Sequence, residues 1–266
     1  MNRPPLRFPL ALGAWGTFAV GTLVAPSLVP RGPVLALAVG AILSLAAVRY
    51  DLAPVLARTR LHLALVVLPT AAIVVWMFDA LVSGSVLRGS LSVLLGLAAT
   101  GGAGLAVLVA ADNRYAADRM ANQSVLVEWT GGPTRTRRRW QRVGFVALGV
   151  GCIVAGVATW FLARDLADVG GSLLASLGGG FVGSAYSTGR SVRYTALEGG
   201  IVVRPFGAVR SVYLPWSRFT GVERTSEELV LRRRLPGTSF HCALSDVADP
   251  DDVEATLHER LDGRRP

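Results

Sequence analysis

Long apolar stretches alternate with short polar stretches through the first 190 or so residues of the chain. A helix needs about 20 mostly apolar residues to cross a bilayer. Helices are the natural spanning structure because hydrocarbon offers no partner to exposed backbone amides. The pattern predicts six transmembrane helices, over residues 8–29, 33–48, 61–82, 90–110, 143–163 and 169–188.

The first apolar stretch follows a basic start, MNRPPLR, of the kind found in secretory signal peptides. It is longer than the apolar region of a signal peptide, and no small-x-small cleavage site closes it. Another apolar segment follows at once. We therefore expect the first segment to be retained as a helix.

After Gly189 the pattern changes to short alternating runs separated by turn residues. Such runs are typical of antiparallel strands with one buried face. The predicted strands are 191–197, 200–206, 210–216, 219–224, 227–233 and 238–244. Alternation places Ile201, Val203, Val212, Leu214, Leu229, Leu231, Phe240 and Cys242 on the buried face.

The last predicted element is a helix with clear boundary signals. Asp249 suits the N-cap and Pro250 suits the first helical position. An apolar stripe of Val253, Leu257 and Leu261 follows. The predicted fold is thus an α-helical membrane bundle at 1–189, with a cytoplasmic loop at 111–142, followed by a small antiparallel β domain with a C-terminal helix at 190–266.

The placement of arginine predicts the orientation in the membrane. All 27 basic residues of the 266 are arginines, and the formal net charge is +9. Alternate flanks are rich and poor in arginine, and the positive-inside rule places the rich flanks and both termini in the cytoplasm of a multi-pass plasma-membrane protein. The rich flanks hold Arg3, Arg7, Arg49, Arg58, Arg60, Arg114, Arg119, Arg135, Arg137, Arg138, Arg139, Arg142, Arg190 and Arg193, and the poor flanks hold Arg31, Arg88 and Arg164.

Small residues recur at four-residue spacing in three of the predicted spans. Such spacing lets helix backbones approach closely in lipid, which predicts tight helix packing. A glycine-lined path for a solute is the alternative. The predicted packing residues are Gly96, Thr100 and Gly104 in the fourth span, Gly151 in the fifth, and Gly171, Ala175, Gly179 and Gly183 in the sixth.

Few residues suggest chemistry inside the membrane. Asp79 is the one clear intramembrane charge, and its position near the end of its span favours an interfacial residue. His62, His241 and His258 are far apart in sequence, and we expect each at a surface or interface. No Cys/His ligand spacing predicts a metal or other cofactor.

Three motifs in the C-terminal part resemble the bacterial PH-like domains of membrane proteins, of the YdbT type. They are RYTALEGGIVVRPF, VYLPWSRFTGVE and LSDVADPDDVEATLHERL, between Tyr194 and Leu261. In that family such a domain commonly follows a transmembrane hairpin, here residues 143–188. The resemblance implies a PH-like fold with a binding or scaffold role rather than catalysis.

The candidate binding surface is a set of arginines in the β domain. Next to the inner leaflet, each basic residue would gain about 1 kcal/mol from the negative surface potential, which predicts binding of anionic lipid headgroups or of a protein partner. The simpler interpretation is a solvated strand end without a specific ligand. The candidate residues are Arg204, Arg210, Arg218, Arg232, Arg233 and Arg234.

Other function classes receive less support from the sequence. No nucleic-acid recognition motif is present, and the basic cluster at 135–139 is placed as a topology determinant would be. No HExxH, GxSxG or P-loop motif predicts an enzyme. The alternative function is a small-solute transporter or channel with the C-terminal domain as its regulator.

Overall fold

The computed structural model describes residues 7–23, 32–83, 91–162, 171–187, 189–235 and 239–262. The chain divides into two compact units, with the boundary between Asp118 and Arg119. The first unit is helical, whereas the second combines a helical hairpin with antiparallel sheets.

Four helices of the first unit follow predicted apolar segments, and a short helix that was not predicted lies between the second and third of them. Helices α1 and α2 lie antiparallel, and the Ser44 hydroxyl of α2 donates to the Pro9 carbonyl of α1 at 3.0 Å. The Trp15 indole N–H donates to the Leu65 carbonyl of α4 at 3.0 Å. The helices are α1 (Arg7–Leu23), α2 (Gly32–Tyr50), α3 (Leu52–Thr59), α4 (Leu61–Ser83) and α5 (Leu91–Asn122), the last of which runs across the boundary between the units.

Helix α3 is short and turns sharply away from α2. The two helix axes differ by 93°. The residues that flank α3, Asp51 and Arg60, have φ angles of 42° and 61°, in the left-handed region that L-residues other than glycine, asparagine and aspartate seldom adopt. Ala53 and Ala57 are the buried residues on the inner face of α3. Burial of that face therefore accompanies two left-handed junctions, and of the two residues Arg60 is the one that seldom adopts this conformation.

The predicted packing residues of the fourth span lie at helix contacts. A Cβ added at Gly96 would collide with the Thr22 side chain, and one added at Gly104 would collide with the Leu65 carbonyl oxygen. Thr100 is buried. Its hydroxyl donates to the Gly96 carbonyl at 2.7 Å.

Helices α6 (Arg135–Leu162) and α7 (Ser172–Ser187) form a hairpin in the second unit. Its contacts include Gly171 and Ala175 of the predicted stripe but then continue at Gly178 instead of Gly179. A Cβ added at Gly178 would lie 2.6 Å from the Gly149 carbonyl oxygen, and one at Gly156 would lie 2.6 Å from the Gly171 oxygen and 3.0 Å from the Ala175 nitrogen.

Three other predicted packing positions lie away from this contact. Among the described residues, no atom comes within 4 Å of a Cβ added at Gly151, Gly179 or Gly183. Each step of four residues turns about 40° around a helix of 3.6 residues per turn. On α7 the predicted stripe therefore leaves the contact after its first two members, whereas alternating steps of four and three stay on it.

All six predicted segments are helical over their described residues. Within the described ranges, two helices are long and apolar enough to cross a membrane, Leu95–Asn122 and Arg135–Thr159. A third qualifies if the bent pair Val34–Tyr50 and Leu52–Thr59 counts as one span. The side chain of Asp79 lies outside the described residues.

The strands of the second unit form two antiparallel sheets over the described residues. One sheet has the order β1-β2-β3-β4 and the other β5-β6-β7. The Ala243 amide donates to the Gly132 carbonyl at 2.8 Å, which connects β7 to the end of β1. The strands are β1 (Val125–Gly131), β2 (Val192–Leu197), β3 (Gly200–Pro205), β4 (Val212–Pro215), β5 (Phe219–Arg224), β6 (Glu228–Arg233) and β7 (Phe240–Ala243).

Strand β1 lies inside the segment that the sequence predicted as the loop 111–142. It pairs antiparallel with β2, with Trp129 opposite Tyr194 and Gly131 opposite Val192. Helix α5 also runs on to Asn122, and α6 already begins at Arg135. Hydropathy locates only the apolar part of a helix, so both extensions into polar residues were missed.

The β-domain core confirms the predicted strands and their buried face. Ile201, Leu229, Leu231 and Cys242 are each 0% exposed. Val203 and Leu214 are also buried there, and Val212 and Phe240 pack against them. The predicted C-terminal helix is α8 (Pro250–Asp262), and the Asp249 carboxylate accepts from the Asp252 amide at 3.1 Å. Val253 and Leu257 of α8 complete the core.

Candidate functional site

In the sequence, the α6–α7 hairpin lies between β1 and β2, which are paired neighbours in one sheet. Only residues 132–134 connect β1 to α6, and residues 188–191 connect α7 to β2. Three extended residues reach about 11 Å at most. The hairpin is therefore attached to the β domain at two adjacent points, each through a short link.

Helix α6 consists of an arginine-rich N-terminal part and a longer apolar part. Its 28 residues span about 42 Å. Residues 143–162 carry no charge, and their length of about 30 Å matches the hydrocarbon thickness of a bilayer. The remaining base, residues 135–142, contains Arg135, Arg137, Arg138, Arg139 and Arg142.

A hollow of about 450 Å³ lies where this base meets the sheets. Arg137 and Gln141 line it from α6, and Arg190 lines it from the link before β2. Tyr194 and Phe240 supply an apolar wall. Guanidinium and amide donors beside an aromatic wall suit an anionic group that carries oxygen acceptors. We call this hollow the base pocket.

Gly189 shapes the chain beside the base pocket. Its φ of +80° is in the left-handed region, and an added Cβ would collide with Cγ of Arg138. A glycine here therefore serves two needs, because it adopts the required backbone conformation and leaves room for the Arg138 side chain.

Glu228 links the second sheet to the root of the hairpin. One carboxylate oxygen accepts from His241 Nδ1 at 2.9 Å, and the other accepts from the Thr134 amide at 3.4 Å. Burial opposes ionisation of Glu228, but these hydrogen bonds outweigh burial and lower its pKa. Glu228 is thus a charged anchor between β6 and the start of α6.

The structure places the predicted arginines of β6 in different surroundings. Arg232 pairs with Glu223 at 2.7 Å. The Arg233 guanidinium lies 5.5 Å from the centre of the Phe240 ring, which also lines the base pocket. Arg234 is exposed, and its amide donates to the Arg218 carbonyl at 2.9 Å.

Two further predicted arginines lie elsewhere in the β domain. Arg204 is exposed on β3, directly opposite Arg193 of β2. Arg193 pairs with Glu128 at 3.7 Å. Arg210 is half-buried just before β4. The predicted set is therefore divided between the two sheets, and Arg233 shares a contact residue, Phe240, with the base pocket.

The titratable core residues of the β domain are held in their neutral forms. Cys242 is fully buried, and burial raises the pKa of its thiol to about 11. Burial likewise raises the pKa of the Tyr194 hydroxyl. Both groups stay protonated at neutral pH, so Cys242 lacks the thiolate that a nucleophile needs.

His62 is buried, so the prediction that it lies at a surface or interface was wrong. It is 3% exposed. Its Nδ1 lies 2.7 Å from the Leu56 carbonyl, which can only accept, so Nδ1 carries a proton. Its Nε2 lies 3.4 Å from the buried Asp112 carboxyl. The His62 ring and the Asp112 carboxyl are thus buried side by side.

The base pocket includes a residue of the basic cluster, Arg137, for which the sequence alone favoured another role. Residues 135–139 were interpreted as a topology determinant, because they lie directly before an apolar segment. The signal that connects them to the β domain is the alternation in SVLVEW, which becomes β1 and ends four residues before Arg135. Comparison with protein families, curated proteins and solved structures gave no match for this chain.

Proposed function

We propose that this chain is a non-enzymatic integral membrane protein that presents a cytoplasmic PH-like domain to anionic lipid headgroups. Six helices cross the plasma membrane, and both termini are cytoplasmic. The hairpin of α6 and α7 holds the β domain at the inner leaflet. Alternatively, the same surface binds a protein partner instead of lipid headgroups.

The observation that carries the proposal is the insertion of the hairpin between β1 and β2. With α6 across the bilayer, the two short links leave the β domain no room to move away from the surface. The headgroup layer is roughly 5–7 Å deep on each side, so the base of α6, about 12 Å long, passes through it. Only 11% of the apolar window of α6 is buried within the protein, which supports a lipid-facing helix.

The architecture supports the PH-like assignment. The described part of the domain has a four-stranded and a three-stranded antiparallel sheet, and a C-terminal helix packs into their core. β1 completes the four-stranded sheet. In this proposal the domain is split in sequence, with its first strand before the hairpin and the rest after it.

The electrostatic gain is largest at the base pocket. Arg137 and Arg190 line it, and each basic residue near an anionic leaflet gains about 1 kcal/mol. Arg232 is already paired with Glu223, which reduces its gain. We therefore assign the main headgroup contact to Arg137 and Arg190, with Arg233 beside them.

Hydrogen exchange of the full chain in lipid nanodiscs tests this function. Peptides from residues 132–142 and 189–194 are compared in phosphatidylcholine alone and in a mixture with phosphatidylglycerol. We expect slower exchange in the anionic mixture, because headgroups occupy the base pocket. The double variant Arg137→Ser, Arg190→Ser should lose this difference.

Arg224→Ser is the matched control, because it removes an arginine whose partners are Asp251 and Glu254. It should keep the lipid-dependent protection. Equal exchange in the two lipid compositions would show that headgroup binding is wrong and leave the protein-partner form of the role. Affinity capture from mild detergent with the wild type and the double variant then tests that form.

A small-solute transporter is the second candidate, and the buried His62–Asp112 pair favours it. Ionisable residues among apolar helices often lie on proton or solute paths. This function predicts proton entry into proteoliposomes under an imposed potential, and loss of that entry in Asp112→Asn. Proton entry equal to that of protein-free vesicles would remove this candidate.

A further inference from the structure

The first unit contains a cavity of about 230 Å³ beside the sharp turn between α2 and α3. Phe8 of α1 and Ala110 of α5 belong to its wall, and Ala47 and Ala53 line it on either side of the turn. Small side chains at these positions leave the space open. The left-handed conformation of Asp51 lies at the sharp turn between α2 and α3, at the edge of the cavity.

Charged residues line the same cavity as these apolar walls. Arg7 and Arg114 supply two positive charges, and Asp51 supplies one negative charge. Asp51 and Arg114 are 3.4 Å apart, and both are partly exposed. Asn113 adds an amide that can donate. The lining therefore carries a net charge of +1 and several hydrogen-bond donors, which suits an anion with oxygen acceptors.

We propose that this cavity binds one anionic phospholipid, with the phosphate held by Arg7 and Arg114 and the glycerol end against the alanine walls. The site is separate from the base pocket of the β domain. It rests on the membrane location proposed above, but not on the role proposed for the β domain.

The apolar walls favour a phospholipid over a free phosphate. A soluble anion would leave the accessible apolar part of the wall, at Ala110 and Ala117, in contact with water, whereas a lipid covers it with hydrocarbon. Ligand pockets commonly measure about 300–1,000 Å³, so a smaller cavity fits the headgroup region and not the whole lipid. The acyl chains can continue along exposed apolar side chains, of which α1 and α2 carry several, such as Leu10 and Leu45.

Native mass spectrometry of the full chain tests the site. The protein is released from nanodiscs of phosphatidylcholine that contain a minor amount of phosphatidylglycerol, and the retained lipids are counted. We expect one phosphatidylglycerol to be retained in preference to phosphatidylcholine. The double variant Arg7→Gln, Arg114→Gln should lower its apparent affinity about tenfold or more, because charge-assisted hydrogen bonds are lost.

A steric variant tests the cavity without a change of charge. Ala110→Leu should fill the space and lower retention in the same way. Ala117→Leu, at an exposed part of the wall, gives a second test if the first variant does not fold. Arg49→Gln removes an exposed arginine of α2 that does not line the cavity, and it should retain the lipid as the wild type does.

Competition with a soluble headgroup analogue distinguishes binding of the whole lipid from binding of its phosphate alone. Glycerol phosphate should not displace the retained lipid, and complete displacement would overturn the phospholipid assignment. Equal loss of lipid in Arg49→Gln and in the Arg7, Arg114 double variant would overturn the site itself. Hydrogen exchange at the base pocket reports on the β domain, so failure of either proposal can be recognised without the other.

Discussion

In the first unit the buried core cluster is made largely of alanines, whereas the core of the second unit is made of aromatic and branched aliphatic side chains. The alanines of the first unit are Ala47, Ala53, Ala57 and Ala111. In the second unit, Trp129, Trp216, Phe219, Leu229 and Leu231 fill the space between the sheets.

The difference follows from the solvent that each region faces in the proposed arrangement. Burying a large apolar side chain away from water stabilises a fold by about 1.5–3 kcal/mol. Lipid tails are as apolar as leucine, so helices in a bilayer gain little from such burial and depend on close packing instead. Large side chains therefore face outward from the helices, as with Leu45 at 71% exposure and Phe161 at 80%.

The largest expected effect is the loss of a large core side chain from the β domain. Trp129 of β1 is 4% exposed and stacks on Tyr194, with 5.2 Å between the ring centres. Trp129→Ala should destabilise the β domain by about 3–5 kcal/mol, because it leaves a cavity in the core. Thermal unfolding of the full chain in mild detergent, followed by near-ultraviolet circular dichroism, measures the change.

Trp140→Ala is the control for Trp129→Ala, because Trp140 is 71% exposed at the base of α6. It should leave the unfolding temperature of the β domain close to that of the wild type. A similar loss of stability in both variants would mean that β1 does not belong to the core of this domain.

The next largest effect comes from enlarging a residue rather than truncating one, as expected where helices pack through small residues. Gly178→Ala places a Cβ 2.6 Å from the Gly149 carbonyl oxygen and should destabilise the hairpin by about 1–3 kcal/mol. Gly179→Ala adds the same methyl group where no described atom lies within 4 Å. It should gain up to about 1 kcal/mol from helix propensity. Opposite shifts in thermal unfolding of the two variants are the expected result.

The same pair of glycines shows how much of the helix packing could be predicted from the sequence. Four-residue spacing pointed to Gly179, and the contact lies at Gly178. Sequence alone locates small residues in a span, but the face that meets a neighbour depends on how two particular helices cross. The close approach of α1 and α2 at Gly13 and Gly40 was also missed, although small residues repeat at four-residue spacing on both helices, at Gly13, Thr17 and Gly21 and at Ala36, Gly40 and Ser44.

The β domain was more predictable, apart from its first strand. Alternation located β2 to β7 and the inward positions, such as Ile201 and Leu231, because each strand has one buried face. β1 is separated from β2 by 60 residues, and local patterns do not show which distant strand it joins. The base pocket depends on that pairing, so it could not be predicted from the arginines alone.

The smallest expected effect concerns a pair of a histidine and a partly or fully buried carboxylate, and such pairs occur in both units. His62–Asp112 lies among the helices of the first unit, whereas His241–Glu228 lies in the β domain with both side chains partly exposed. Hydrogen bonds from His241 and Thr134 overcome burial and lower the pKa of Glu228. The ionised carboxylate is therefore favoured in the folded state.

This lowered pKa gives a definite sign to the pH dependence. An unfolded glutamate has a pKa of about 4.3, so between that value and the lower folded pKa the unfolded chain binds more protons. The stabilisation by Glu228 is complete above about pH 4.3 and is lost as the pH falls through the folded pKa. Glu228→Gln should remove this part of the acid-induced loss of stability, while Glu227→Gln, at an exposed neighbour, should keep the wild-type profile. Urea unfolding of the β domain at a series of acidic pH values measures the difference, and identical profiles for the wild type and Glu228→Gln would show that the link between β6 and the root of the hairpin does not depend on charge.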